Sequence, residues 1–352
     1  MAPPLTVALL SCWPPSVAAG SGTTVSQNQL IEALKAVEVD ASILYTSRFA
    51  GTAAELAARE ARNQALGGGL EGYDAVLGFD GEGWLWAAVA RSAPFVAFCE
   101  AVLSQVLPFE EGAAAAVLRA QAGWERAAAH SAEAVVARSS FAAECLVSDY
   151  DVDPARITVL PVPFDLDGWR SQLPALPKEP LVLAAGHTYR RKNYQGLLAA
   201  WPEVHRRRPD AELVLVGAGP DLVELRKRAS SLRGVRMPGH VSYEQLLELH
   251  ARASVFCHPS LQENFGIAVV EGLASGAGVV THTQAAVLEN TAGLPGTWAV
   301  DAREPGVLAA ALLEALESPA PWPPSRLASL AGRLAPARVG RQLRDLIESL
   351  RR

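Results

Sequence analysis

Short apolar runs alternate with longer amphipathic segments along the whole chain. The first run covers residues 5–10, and beyond a loop rich in proline and glycine the residues Val25, Leu30, Ile31 and Leu34 recur at helical spacing. Further apolar runs in the first half lie at residues 41–45, 75–78, 95–98 and 134–137. Because Ala-rich segments of helical length separate these runs, the pattern predicts a parallel sheet wrapped by helices.

The same pattern restarts after the proline-rich residues 173–177. Its apolar runs lie at residues 181–184, 213–216, 255–257 and 278–280. We therefore predict two α/β domains, with a linker near residues 168–179. The predicted organisation is an N-terminal Rossmann-like domain over residues 1–170, a C-terminal Rossmann-like domain over residues 178–322, and a helical segment over residues 323–352 that can pack back on the N-terminal domain.

Composition narrows the class of protein. The 352 residues carry 31 Lys and Arg against 37 Asp and Glu, a formal charge of -6, which gives no electrostatic case for nucleic acid as a partner. The four cysteines are scattered without a Cys-x-x-Cys pair, and the histidines lack metal-ligand spacing, so neither a disulfide scaffold nor a metal site is expected. Residues 5–10 are too short for a signal-peptide core and no run reaches the length of a membrane span, so we expect a cytoplasmic protein without an integral membrane segment.

The richest candidate chemistry lies between His258 and Gly276. A strand ends near Pro259, a polar loop carries Glu263, and a helix is expected to open near Phe265 and Gly266, where free backbone N–H groups favour a phosphate. Glu271 follows along that helix, so the two carboxylates can be separated by up to about 12 Å. That spacing suits the two hydroxyl-rich ends of one extended ligand better than the two sides of a single glycosidic bond.

The segment Glu-Asn-Phe-Gly-x4-Glu, preceded by Pro-Ser and followed by Gly-x-Ala-x-Gly, resembles the Glu-x7-Glu signature of retaining glycosyltransferase family 4, whose members have the GT-B architecture. Other segments agree in order, namely residues 186–193, the turn at residues 215–220, residues 20–23, residues 138–141 and residues 157–161 with Asp165. The resemblance covers nearly the whole chain, most closely residues 181–278. It implies two Rossmann-like doubly wound domains that face each other across a cleft, with the donor on the C-terminal domain and the acceptor on the N-terminal domain.

The resemblance also implies a role for each matched residue. Glu271 would bind the ribose hydroxyls of a nucleotide sugar, Glu263 with the amides of Asn264, Phe265 and Gly266 would hold the transferred sugar, and Lys192 would bind the diphosphate. The further donor-binding positions are Gly22, Gly186 and His187, with Arg191 as a second catalytic cation. Fixed cations and helix-end amides lower the barrier because negative charge grows on the departing diphosphate.

Three positions depart from the family pattern. The arginine of the first loop is His187 here, so the second phosphate-binding cation must come from Arg190, Arg191 or a protonated His187. Glu100 stands where many members have a histidine that orients the sugar or acceptor. The turn that includes Asp165 also differs in sequence.

Other motifs in the sequence are weaker candidates for a functional site. The turn at residues 217–219 lacks the third glycine of a dinucleotide fingerprint, and the Asp-x-Asp sequences at residues 149–153 and 165–167 lie in turns where Asp is common for backbone reasons. His258 is expected to cap or pack beside the signature. Trp13, Trp84 and Trp86 are expected to be packing residues rather than a binding platform.

The sequence thus predicts a retaining, metal-independent glycosyltransferase with a nucleotide-diphosphate sugar as co-substrate and no separate cofactor. Its acceptor is expected to be a sugar, a lipid-linked molecule or a small molecule, with peripheral association at the inner membrane face left open. The alternatives are a nucleotide-sugar epimerase of the same architecture, a nucleotide-sugar-binding protein without turnover, suggested by His187 and Glu100, and a nicotinamide oxidoreductase.

Overall fold

The chain forms two compact units. The computed structural model describes residues 4–13, 22–45, 51–89, 91–318 and 320–351. One unit consists of Met1–Phe164 with Gly332–Arg352, and the other of Asp165–Ala331. The division falls a few residues before the linker expected at residues 168–179, and the glycine-containing loop expected at residues 14–21 lies outside the described residues.

The first unit is built on six parallel strands in the order β2-β1-β3-β4-β5-β6. The strands are β1 Leu5–Ser11, β2 Val39–Tyr45, β3 Ala75–Phe79, β4 Phe95–Cys99, β5 Ala134–Ala137 and β6 Ile157–Val159. The helices are α1 Gly22–Lys35, α2 Ala53–Gln64, α3 Trp84–Ala87, α4 Leu103–Val106, α5 Gly112–Ser131 and α6 Ser140–Tyr150. Val7 and Leu9 enter one core and Ala8 and Leu10 another, as the two-residue period of a strand requires. Because both faces of the sheet are covered, its central strands are apolar throughout.

Capping residues set the helix ends in this unit. The Ser139 hydroxyl accepts a hydrogen bond from the amide of Ala142 at the start of α6, and Asp151 in the left-handed conformation ends that helix. A reciprocal pair of hydrogen bonds between Thr52 and Glu55 opens α2. The polar residues at these positions therefore fix where each helix begins.

The second unit repeats the architecture, with six parallel strands in the order β12-β11-β10-β7-β8-β9. The strands are β7 Glu179–Ala185, β8 Glu212–Val216, β9 Val235–Gly239, β10 Ala253–His258, β11 Gly278–His282 and β12 Thr297–Val300. The helices are α7 Leu166–Gln172, α8 Tyr194–Arg207, α9 Leu222–Ala229, α10 Tyr243–Arg252, α11 Ile267–Ala274, α12 Ala285–Thr291 and α13 Pro305–Glu317.

The chain ends in α14 Ala328–Leu334 and α15 Pro336–Leu350. Leu343 and Ile347 of α15 are fully buried in the same core as Leu30 of α1. A side chain at Gly340 would meet the carbonyl oxygen of Ala33 at 2.2 Å, so glycine allows α15 to lie directly against α1. None of the helices in the described part of the chain is long and apolar enough to span a bilayer.

Each sheet reverses its strand order once. In the second sheet β7 lies beside β10, although β8 and β9 come between them along the chain, so the loops that follow β7 and β10 leave one edge side by side. In the first sheet β1 and β3 are related in the same way. Doubly wound sheets bind ligands at such reversals, outside the carboxyl ends of the strands.

Candidate functional site

In the second unit, the loops after β7 and β10 are bonded to each other. The amide of Leu261 donates to the carbonyl of Arg191 over 2.8 Å, and a guanidinium nitrogen of Arg191 donates to the carbonyl of Gln262 over 3.2 Å. These loops hold the expected cations and the first carboxylate of the signature. Residues about 70 positions apart in sequence therefore form one site.

Three nitrogen-bearing side chains converge on one oxygen of Glu263. Lys192 forms a salt bridge with Oε1, His258 Nε2 lies 2.8 Å from the same atom, and Arg191 Nη1 lies 3.9 Å from it. The Glu263 side chain is only 11% exposed. Burial raises the pKa of Glu263, but the Lys192 charge, the His258 hydrogen bond and Arg191 outweigh burial and hold the pKa well below its ordinary value. Glu263 is therefore an ionised carboxylate in a buried site.

His258 is part of the site rather than a packing residue alone. Burial lowers its pKa against the opposing effect of Glu263, so the ring is neutral near pH 7. A neutral ring that bonds a carboxylate must carry its proton on Nε2. The sequence pattern predicts only a capping or packing role for His258, and the five-residue separation from Glu263 is the one signal in the sequence for this contact.

Two side-chain amides, one in α12 and one in the residue before it, form hydrogen bonds with the backbone of the signature segment. Gln284 donates its side-chain amide to the carbonyl of Glu263 over 2.9 Å, and Asn290 donates to the carbonyl of Phe265 over 2.6 Å. Gly266 has a φ of 78°, and α11 begins at the next residue. The sequence analysis located this turn and helix start but named neither supporting amide.

Glu271 lies in the second turn of α11 in a different environment. Its side chain is half-buried, and burial raises its pKa to about 8. The Ser275 hydroxyl donates to the Glu271 carbonyl over 2.7 Å and accepts from Trp169 Nε1 over 2.9 Å, which anchors this turn of the helix. The group is therefore largely protonated near pH 7, and a ligand that donates hydroxyl hydrogens to it would favour its ionised form.

Glycines bring the loops after β7 and β8 into backbone contact. Gly186 and Gly217 have φ values of 147° and 134°, and a side chain at Gly217 would lie 1.9 Å from the Gly186 carbonyl oxygen. Only glycine fits at that separation. His187 follows and stacks on Tyr189 at 5.7 Å, while the Arg191 guanidinium lies 5.6 Å from the same ring.

The three candidates for the second phosphate-binding cation, His187, Arg190 and Arg191, differ in charge and burial. Burial lowers the pKa of His187, and Lys192 and Arg191 lower it further, so His187 is neutral near pH 7. Arg190 is exposed, whereas Arg191 is partly buried beside Glu263. Of the three candidates, Arg191 lies beside Glu263, and its role as the second phosphate-binding cation stays a prediction.

Most of the remaining predicted residues belong to the first unit, and Asp165 begins the second. Gly22 is the exposed first residue of α1. Glu100 follows β4 and forms a salt bridge with Arg138, which follows β5. The other acidic candidates have structural roles, since Asp153 and Asp165 accept hydrogen bonds from the amides of Ala155 and Gly168. Within the described ranges no group of three or more His, Cys, Asp and Glu side chains has the arrangement of a metal site.

Solved structures define the fold class. The chain resembles Anabaena HepE in complex with UDP and glucose, with a TM-score of 0.73, 16% identity and coverage of 98% of this chain and 100% of that one. It also resembles a sucrose-phosphate synthase from Thermosynechococcus elongatus, with a TM-score of 0.77, 20% identity and coverage of 98% and 99%. The predicted fold class, GT-B with two Rossmann-like doubly wound domains, is confirmed.

The sequence comparisons define the C-terminal domain more closely. Residues 167–328 match the family model described as "Glycosyl transferases group 1", so the second unit contains a group 1 glycosyltransferase domain.

Relatives include the GDP-mannose-dependent monoacylated alpha-(1-6)-phosphatidylinositol monomannoside mannosyltransferase of Corynebacterium glutamicum, 28% identical over 176 residues. The match covers 48% of this chain and 46% of that protein. The phosphatidyl-myo-inositol mannosyltransferase of Mycolicibacterium smegmatis is 42% identical over 92 residues, 26% of this chain and 24% of that protein. The chain thus spans less than half the length of these curated relatives.

Proposed function

We propose that the chain is a retaining glycosyltransferase that moves a sugar from a nucleotide-diphosphate sugar to an acceptor hydroxyl. The observation that carries the proposal is the group of Lys192, His258 and Arg191 around one oxygen of Glu263, at the strand-order reversal of a group 1 glycosyltransferase domain. A buried ionised carboxylate accepts hydroxyl hydrogens from a sugar, and adjacent cations attract a diphosphate. One cluster of side chains would thereby bind both the sugar and the diphosphate of the donor.

In this proposal the two signature carboxylates have different tasks. Glu263 accepts hydrogen bonds from hydroxyls of the transferred sugar, because its Oε1 is fixed by three partners while the carboxylate stays charged. Glu271 accepts from the ribose hydroxyls, which replace the water that burial removes from it. The amides of Asn264, Phe265 and Gly266 lie between the two carboxylates along the chain and directly precede α11, whose start favours an anion.

The proposed bond changes are those that the resemblance to retaining glycosyltransferases implies. The C1–O bond to the diphosphate breaks while the acceptor oxygen forms a bond to C1 on the same face, and the acceptor proton passes to the departing phosphate oxygen. Lys192 and Arg191 stabilise the negative charge that grows on the diphosphate. No protein nucleophile takes part, and Glu263, already bonded to Lys192 and His258, serves to position the sugar.

The test is a nucleotide diphosphate release assay with a panel of nucleotide sugars, including the UDP and GDP forms that the similar proteins' names mention. Release that depends on an acceptor and falls strongly in Lys192→Ala and Glu271→Ala supports the proposal. Unchanged release in either variant contradicts the assigned roles. Conversion of the sugar without an acceptor would identify an epimerase, and tight donor binding with neither transfer nor hydrolysis would identify a binding protein.

A further inference from the structure

The turn of α11 that carries Glu271 is held by a tryptophan of another helix. The Ser275 hydroxyl donates to the Glu271 carbonyl over 2.7 Å, and the Ser275 amide donates to the same carbonyl over 3.0 Å. A serine often bonds back to the carbonyl four residues earlier in a helix. In addition, Trp169 Nε1 donates to the Ser275 hydroxyl over 2.9 Å, and the Trp169 side chain is only 7% exposed. Because Trp169 belongs to α7, the position of Glu271 depends on a second element of the fold.

His250 completes the hydrogen bonding of the Ser275 hydroxyl. His250 Nδ1 lies 3.3 Å from Ser275 Oγ, and the His250 ring lies 5.3 Å from the Trp169 ring at an angle of 88°. Burial lowers the pKa of His250 to about 3, so its ring is neutral. Since the Ser275 hydrogen goes to the Glu271 carbonyl, the neutral ring must carry its proton on Nδ1 and donate it to Ser275. The hydroxyl therefore donates one hydrogen bond and accepts two.

Lys178 joins the ends of α10 and α11. Its ammonium group donates to the carbonyl of Ser275 over 2.8 Å and to the carbonyl of His250 over 3.0 Å. Ser275 is the C-cap of α11 and His250 lies in the last turn of α10, where a cation is favourable. We call Trp169, Lys178, His250 and Ser275 the anchor cluster.

A column of stacked rings leads from the anchor cluster to the other signature carboxylate. The His250 ring stacks on Phe256 at 5.4 Å, and Phe256 stacks on His258 at 6.4 Å. His258 Nε2 lies 2.8 Å from Glu263. A side chain at Gly272 would meet the Phe256 ring at 2.6 Å, so α11 lies directly against this column. The carboxylates at both ends of the signature are thus connected to the anchor cluster.

Asp165 sets the helix that presents Trp169. Its carboxylate accepts from the Gly168 amide over 2.9 Å, and its carbonyl accepts from the Trp169 amide over 2.9 Å. At the other end of α7, Gln172 accepts from the hydroxyl of Tyr243 in α10 over 3.0 Å. Both ends of α7 are therefore fixed, and the turn that departs from the family sequence has a structural task.

We propose that Trp169 is a positioning residue for the donor, which fixes Glu271 through Ser275 and so raises the affinity for the ribose of the nucleotide. The inference rests on the proposed function, which places the ribose hydroxyls on Glu271. A binding group must be held to within about 0.5 Å by its supporting residues. The ribose contact is the same in the ground state and the transition state, so loosening it raises KM and leaves kcat unchanged.

The first test is Trp169→Phe, which removes the N–H donor and keeps an aromatic ring against His250. We expect UDP to bind about three- to fivefold more weakly in calorimetry, and KM for the donor to rise equally with kcat unchanged. Ser275→Ala should weaken binding at least as much, and the double variant should bind no more weakly than Ser275→Ala, because the two side chains share one bond. The matched control is Trp201→Phe, which also loses an indole hydrogen bond, 2.9 Å long, to the Arg233 carbonyl. That variant should lower the melting temperature and leave UDP binding unchanged.

A Glu271→Ala background separates positioning from a general loss of structure. If Trp169 acts through Glu271, Trp169→Phe should weaken UDP binding in the wild-type background and leave it unchanged in Glu271→Ala. Equal weakening in both backgrounds, or unchanged UDP binding in Trp169→Phe alone, would overturn the inference.

A measurement without ligand separates this inference from the proposed function. Ionisation of Glu271 costs stability at high pH, and a looser turn lets water reach the carboxylate. The stability of the Glu271 form relative to Glu271→Ala should therefore fall less between pH 4 and pH 9 when Trp169 is replaced by Phe. If no nucleotide or nucleotide sugar bound the wild type, the proposed function would fail, and this comparison would decide whether Trp169 positions Glu271. If UDP bound the wild type and Trp169→Phe equally, the inference alone would fail.

Discussion

The carboxyl edges of the two sheets, at the points where the strand order reverses, differ in chemistry. At the reversal of the second sheet, Lys192 and Arg191 surround one ionised carboxylate, Glu263. At the reversal of the first sheet, Glu100 forms a salt bridge with Arg138, and the carboxyl group of Asp80 accepts hydrogen bonds from Trp13 Nε1 and the Glu100 amide. Since both edges lie at a strand-order reversal of a parallel sheet, that feature alone does not set the chemistry of the edge.

The difference shows that one kind of sheet edge can carry two kinds of chemistry. An edge with excess cations suits a diphosphate, whereas at the first edge Arg138 is paired with Glu100 and burial raises the pKa of Asp80 to about 7. The loops at the second edge are in backbone contact through glycines, with Gly217 against Gly186. The loops at the first edge are connected by hydrogen bonds of side chains such as Trp13 and Arg138. Each of the following predictions changes one feature of this comparison.

The largest effect is expected from Lys192→Ala, which removes the central cation of the second edge. Nucleotide diphosphate release from the preferred donor should fall by about 100-fold or more, as is typical when a preorganised charge at the leaving group is lost. The control is Lys227→Ala, an exposed lysine of the same unit, which should leave the rate unchanged. A rate within about threefold of wild type in Lys192→Ala would place the diphosphate elsewhere.

The glycine contact is tested by Gly217→Ala. The added methyl would meet the Gly186 carbonyl at 1.9 Å at a φ of 134°, so we expect a loss of about 2–4 kcal/mol of stability, seen as a lower melting temperature, together with weaker nucleotide binding. Gly306→Ala is the matched control, because nothing lies within 4 Å of a side chain there. Similar melting temperatures for the two variants would show that the loops after β7 and β8 separate readily.

Glu271→Gln is expected to have opposite effects on stability and on binding. The folded-state pKa of about 8 lies above the ordinary 4.5, so ionising Glu271 costs stability, from nothing below about pH 4.5 to the full cost above about pH 8. The variant should therefore be more stable than wild type at pH 9, by roughly 1–2 kcal/mol for a half-buried group, and equal to it at pH 4.

The same variant should bind UDP about tenfold more weakly at pH 8.5, since the ribose hydroxyls lose a charged acceptor. Glu314→Gln, on an exposed position of α13, is the control for both measurements. Thermal unfolding and calorimetry as a function of pH check them. Tighter UDP binding in Glu271→Gln would show that the Glu271 side chain does not bind the ribose hydroxyls.

The smallest effect is expected at His258, which positions Glu263 without contacting the reacting atoms. His258→Leu should reduce kcat by roughly five- to tenfold through a less fixed carboxylate, and His258→Gln should restore most of it because its amide can donate in place of Nε2. Wild type and His258→Gln should share one pH profile above pH 7, because burial lowers the pKa of His258 below its ordinary value. Equal kcat in the leucine and glutamine variants would contradict the positioning role.

The buried strands could be predicted from the sequence and three edge strands could not. Strands such as β3 and β4 are apolar throughout because helices cover both sides. The missed strands are β6, β9 and β12, in which exposed or half-buried residues interrupt the apolar run. β9 and β12 are the edges of the second sheet and β6 an edge of the first, so neighbouring strands rather than their own side chains specify them.

The candidate site can also be divided into features that could be predicted from the sequence and features that could not. The turn at Gly266 and the helix that carries Glu271 could be predicted, because both depend on one continuous stretch of sequence. The contact of Lys192 with Glu263 spans 71 residues, and that of Arg138 with Glu100 spans 38, so each depends on which strands become neighbours. The neutrality of His187 could not be predicted either, because it results from burial and from cations brought near by the fold.

The most direct test of the central claim is a crystal structure of the protein with UDP bound. The account predicts the β-phosphate within hydrogen-bonding distance of Lys192 and the ribose hydroxyls on the carboxylate of Glu271. A nucleotide found with its phosphates away from Lys192 and its ribose away from Glu271 would contradict it.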